Sequence, residues 1–189
     1  MNNLNSIGSK EIIELLEDFK ALPDKYIIRY LEENIGYANG SAYLKNLVHN
    51  RIVTQDELGN CSLYGKPLGS IANTCIFHIA LLLHKGGSTF HITPGKFPYD
   101  AISYADNTLF RYMICSKEGK GKLLYYKDSQ EIIIDKDIQQ IPVLIFIEEH
   151  HSSINELMYP DEPFLIFEIK YRANEISDIK FYKRGFDNE

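Results

Sequence analysis

Asn39-Gly-Ser-Ala-Tyr-Leu-Lys-Asn-Leu-Val-His-Asn-Arg-Ile-Val-Thr54 is the stretch on which the fold turns. Ala42, Leu44, Leu47 and Val48 recur at helical spacing, which predicts the inward face of a helix that Asn39-Gly40-Ser41 opens and Arg51 ends. Ser41, Lys45, Asn46, His49 and Asn50 then fall on its other faces. Directly afterwards Ile52-Val-Thr54 and Cys61-Ser-Leu-Tyr64 read as short strands. They are joined through Asp56-Glu-Leu-Gly-Asn60, whose acidic and glycine residues suit a hairpin loop. Upstream, Ser9 is the expected cap of a helix carrying Ile12, Ile13, Leu15, Leu16, Phe19 and Leu22 as one apolar stripe. Pro23 and Asp24 stop it and start a second helix, about 23 to 34, with Gly36 as its terminator. Three helices and a hairpin are the order of a winged helix, in which the third helix can enter a major groove.

Downstream the pattern changes. Ser70 is placed to cap a strongly apolar helix to about Lys85, ended by Gly86-Gly87. Strands are expected at 89–93, 101–104, 109–115, 143–147, 164–171 and 176–182, with turns at Asp106-Asn107 and Ala173-Asn174-Glu175. Ile141-Pro-Val-Leu-Ile-Phe-Ile147 is apolar throughout, as a strand covered on both faces should be, with helices to cover it near 70–85, 117–127 or 153–158. The expected fold is α+β in two domains, 1–68 and 69–189.

With 189 residues, 44% hydrophobic and 12% aromatic, the chain can build a real core. A net charge of −6 excludes a basic nucleic-acid coat protein, so any DNA contact must come from a local patch. The run Ile76–Leu83 is far too short to cross a bilayer, and Met1-Asn-Asn-Leu-Asn5 has no charged or apolar leader character. The expectation is a cytoplasmic protein with no membrane partner. Cys61, Cys75 and Cys115 are odd in number and widely spaced, which predicts reduced packing residues.

The run Ala42-Tyr-Leu-Lys-Asn-Leu-Val-His-Asn-Arg-Ile-Val53, its hairpin and the helix from Ser70 resemble the winged-helix half of replication-relaxation-type proteins, which are linked to plasmids and conjugative elements. Phe97-Pro-Tyr-Asp-Ala-Ile-Ser-Tyr-Ala-Asp-Asn-Thr-Leu-Phe-Arg-Tyr112, Ile141–Glu149 and Ile179–Lys183 resemble the companion domain of a related mobile-element family, similar to a restriction-endonuclease-like α/β core with a mixed sheet. The resemblance implies DNA binding. In such a core two carboxylates hold Mg2+ and a lysine helps activate water. Asp100 matches the first acid, but on the partner strand Met113 and Cys115 stand where acids would be expected, and a thioether and a thiol are poor Mg2+ ligands. On that alignment catalysis is lost.

The site expectation is therefore a DNA-reading face of Ser41, Lys45, Asn46, His49 and Arg51, with no catalytic residue, no metal and no cofactor. Five basic residues against four acids between Lys25 and Lys66, and an acidic hairpin tip, temper that expectation, because phosphate neutralisation supplies most nonspecific affinity. The second domain is expected to serve as a dimerisation or partner surface; the alternatives are a winged-helix adaptor that docks a protein partner, and a Mg2+-dependent nuclease using Asp100, or Asp161 with Glu168 and Lys170. Six residues between Asp161 and Glu168 are too few for the strand, turn and strand that nuclease needs, so Glu168 and Lys170 read as a solvated strand face. Glu148-Glu-His-His151 has metal-ligand residue types, but neighbours on an extended chain point to opposite sides, so it reads as a polar strand end. His78 and His84 read as packing residues, and Lys117–Lys122 as a solvated loop without phosphate-loop spacing.

Overall fold

A computed structural model describes residues 6–66, 69–85, 89–116, 120–128, 138–153, 159–160, 162–172 and 175–186. The chain is mixed α/β and divides into two compact units, residues 1–90 and 91–189.

The first unit begins with α1 (Ile7–Phe19), which Ser6 caps by accepting from Ser9 N. Ser9, the expected cap, lies buried one turn inside. Its burial goes with a close approach: a Cβ on Gly8 would come within 2.7 Å of the Tyr43 ring. Leu22 is not helical but belongs to a short strand, β1 (Ala21–Pro23), which the sequence reading did not contain. Helix α2 (Asp24–Arg29) continues as a π-helical turn to Asn34, and α3 spans Gly40–His49. Strands β2 (Val53–Gln55) and β3 (Asn60–Leu63) form the expected hairpin, and β3 also pairs with β1, giving an antiparallel sheet of order β1-β3-β2. Helix α4 (Ile71–Leu83) is capped by Ser70 as expected. It sits with the first unit, whereas the sequence reading put the boundary at 68 and 69. Asn73 Nδ2 donates to Phe19 O at 2.8 Å, and Phe77 packs its ring on Phe19 and Tyr30, so α4 completes this core.

The second unit is one six-stranded mixed sheet, of order β4 (His91–Pro94), β5 (Ala101–Ala105), β6 (Thr108–Cys115), β7 (Gln139–Ile147), β8 (Phe164–Arg172) and β9 (Glu175–Arg184). β4, β5 and β6 form an antiparallel meander. The β5–β6 turn is made by Asp106 and Asn107, both at positive φ (47° and 60°), the two-residue geometry that Asp and Asn tolerate. From Cys115 the chain crosses through α5 (Lys120–Asp128) to β7, which runs parallel to both β6 and β8. Two parallel neighbours explain why residues 141–146 are all buried. On one face Met113, Cys115, Leu144, Phe146, Phe164 and Ile166 pack against Leu123 and Tyr126 of α5 and against Tyr159. Residues 120–128 are thus helical, and the part of the Lys117–Lys122 segment that is described is not a solvated loop.

All three cysteines are buried and none forms a disulfide; burial pushes the thiols of Cys61 and Cys115 up to about 12. No described helix is long and apolar enough to cross a membrane.

Candidate functional site

Chemistry-bearing side chains gather at one place in the first unit and at two in the second. In the first, α3 buries Gly40, Leu44 and Leu47 and packs against α1 and α2. Helical geometry then turns Ala42, Lys45 and His49 outward, and all three are exposed. Arg51, just past the helix, is exposed as well. Ser41 and Asn46 are half-buried, and Asn46 Oδ1 accepts from Asn50 Nδ2 at 2.9 Å. The five residues of the expected reading face therefore split: Lys45, His49 and Arg51 are presented outward, while Ser41 and Asn46 lie at its margin.

The helix ends in a way that composition did not announce. Ile52 N donates to Leu47 O and Arg51 N to Val48 O, both at 3.0 Å, which is the paired bonding of a Schellman cap. That cap needs a left-handed residue, and Arg51 supplies it at φ 57°. Glycine is the residue of least strain there, and an arginine costs about 1 kcal/mol more. Beside α3, Asp56 closes the β2–β3 loop by accepting from Leu58 N, Asn60 N and Asn60 Nδ2. The Asn60 side-chain bond, with these backbone bonds, holds the Asp56 carboxyl below its ordinary range, so the loop tip stays anionic.

In the second unit, Asp100 is not bonded beside another acid among the described residues. Its carboxylate accepts from Lys122 Nζ at 2.6 and 2.7 Å and from Ile114 N at 2.7 Å. Met113 and Cys115 are core residues, 0% and 3% exposed. Next to this pair Arg111 lies 7% exposed, bonded to Tyr99 Oη, Tyr126 Oη and Glu162 Oε1 and flanked by both tyrosine rings. These contacts tie β6 to α5 and lock the strand rather than leaving a free acid for a cation. Asp161 lies outside the described residues.

Glu168 corrects an expectation. It is not part of a solvated face: its side chain is 8% exposed, on the same β8 face as Phe164 and Ile166, while Lys170 is exposed. Its Oε1 accepts from His151 N at 2.8 Å and lies 2.6 Å from His151 Nδ1 and 3.4 Å from His150 Nε2. Tyr182 Oη donates to Oε2 at 3.3 Å. Burial works to raise this carboxyl, but the bonds from the His151 backbone and ring and the pull of both imidazoles outweigh it and hold it below the usual range.

The steric objection to His150 and His151 sharing a site also fails. β7 ends at Ile147, and Glu148 takes φ 57°, with its N donating to Ile169 O and its carboxylate accepting from Tyr171 N. The chain then enters a 3-10 turn at His151–Ser153, so it is no longer extended. The two imidazoles stack at 4.6 Å and 24° instead of pointing apart. Ligand atoms of His150, His151 and Glu168 lie within 4.8 Å of one another, the one such group among the described residues. His150 and Glu168 border a pocket of about 250 Å3 lined also by Glu148, Glu149, Lys170, Asp178 and Lys180. The signal for this site was present in Glu148-Glu-His-His151 and Glu168; what the sequence did not show was the left-handed turn that joins them.

No family model, curated protein or solved structure matches the chain.

Proposed function

We propose that the first unit is a winged helix that reads duplex DNA with the exposed side of α3, in a noncatalytic DNA-binding or regulatory accessory protein of a mobile genetic element. The observation that carries this reading is Arg51. An arginine in a left-handed cap position costs the fold about 1 kcal/mol relative to glycine, and such strain is often kept where the side chain has work to do. It follows His49 by two residues and is exposed, as Lys45 and His49 of α3 are. The element order and the β1-β3-β2 sheet, which seats the hairpin beside α3, support the winged-helix assignment. The mobile-element assignment rests on the resemblance to replication-relaxation-type proteins.

For the second unit the reading is a restriction-endonuclease-like scaffold without nuclease chemistry at the Asp100 position. The strand order and the α5 crossover support the scaffold. The Lys122 ion pair and the buried Met113 and Cys115 support the loss of function there. Arg51→Gly tests the DNA reading directly, because it relieves the backbone and removes the charge together. The expected result is an equally or more stable protein with weaker duplex affinity. An unchanged affinity favours protein docking by α3 instead.

A further inference from the structure

We propose that His150, His151 and Glu168 form a three-ligand site for a zinc-class divalent cation, with a fourth coordination position open to solvent. Two imidazoles and one carboxylate are a borderline-soft donor set that suits Zn2+ and its neighbours rather than Mg2+, which prefers oxygen throughout. The spacing fits. Bonds of about 2.0–2.1 Å in a tetrahedron put ligand atoms about 3.3 Å apart. His150 Nε2 and Glu168 Oε1 stand 3.4 Å apart, and His151 Nδ1 needs to withdraw only about 0.7 Å from its present 2.6 Å contact.

The supporting groups are already in position. His150 Nδ1 lies 2.7 Å from Ser152 Oγ, which orients the ring with Nε2 toward Glu168. Glu168 is held from behind by Tyr182 Oη and His151 N, so the carboxylate is fixed before any ion arrives. Glu148 stores backbone strain at the turn that brings the histidines together, and its two bonds to β8 fasten that turn. Four carboxylates against two lysines line the pocket, a charge balance that favours a cation. The site lies beyond the carboxyl end of β7, a parallel strand, which is where open sheets place their ligands. Three protein ligands with one side open to the pocket leave room for a water on the ion.

Untagged full-length protein, stripped with chelator, is titrated with Co2+ and then Zn2+. Expected are one equivalent of Co2+ per chain, the strong visible bands of a four- or five-coordinate ion, and their loss on adding Zn2+ but not Mg2+. No thiolate-to-metal absorption is expected, since the cysteines lie in the two cores. His150→Ala, at an exposed ring, leaves circular dichroism and melting of the metal-free protein unchanged and weakens Co2+ at least about tenfold. Absence of saturable Co2+ binding, a pale six-coordinate spectrum, thiolate bands, or full affinity in His150→Ala would each overturn the proposal. None of these outcomes bears on duplex binding.

Discussion

His151 Nδ1 stands 2.6 Å from Glu168 Oε1 across 17 residues of chain, and this contact, with the His151 backbone bond to the same oxygen, fastens the loop after β7 onto the middle of β8. Removing the carboxylate leaves a part-buried amide and a ring nitrogen without their acceptor. Glu168→Ala is expected to cost about 2–3 kcal/mol in urea unfolding, and Glu168→Gln, which keeps one acceptor oxygen, about 1 kcal/mol. Equal and negligible losses for both variants would show that the loop is held by something else.

Arg111 is the second buried anchor of the sheet. Arg111→Met keeps the apolar stem but strands Glu162 and two tyrosine hydroxyls, at a cost of about 3 kcal/mol by chemical denaturation. The double variant Arg111→Met/Glu162→Gln should recover part of that loss, because the uncompensated carboxylate is gone.

His78 makes the first unit acid-sensitive. Burial, reinforced by Arg29 and Lys25, lowers its pKa from 6.5 to about 4, and its Nδ1 has no hydrogen-bond partner among the described residues. The unfolded chain takes up the proton first. The stability that comes from a neutral ring is therefore complete above about 6.5 and drains away as the pH falls toward 4. Discounted for partial exposure, the loss between about pH 7 and about pH 4 is about 1–2 kcal/mol. His78→Leu should flatten that part of the stability profile relative to wild type, and a parallel profile in the variant would mean that other groups set it.

Much of this architecture was legible because it is local. Period-2 runs and the Asp106-Asn107 turn located the strands of the second unit within a few residues, and the apolar run around Val143 marked a strand covered on both faces. The misses are non-local. Leu22 fits a helical stripe yet pairs with Cys61 in β1, a choice made by the partner strand 39 positions away. Ser9 has cap chemistry, but Ser6 takes the cap while Ser9 is buried in the α1 turn beneath it. Glu168 alternates like a surface residue until Tyr182 and the His151 loop close over it. Spacing marked Lys45 and His49 as outward, but Ala42, expected inward, is exposed and Ser41 and Asn46 are half-buried, and the left-handed cap at Arg51 was hidden, since no periodicity encodes a φ.

Arg51 should separate fold from function. Arg51→Gly is expected to raise unfolding stability by about 1 kcal/mol, the strain of an arginine at φ 57°. A destabilised glycine variant would mean that the guanidinium stem packs and supports the helix end.

The most direct test of duplex reading is the salt dependence of binding to double-stranded DNA by the full chain and by Lys45→Ala/Arg51→Gly. If both residues neutralise phosphates, the variant binds all duplexes more weakly and its log–log salt slope falls by about 2 relative to wild type. A wild-type chain with no duplex affinity at low salt, or a double variant with the same slope and affinity, would contradict the account.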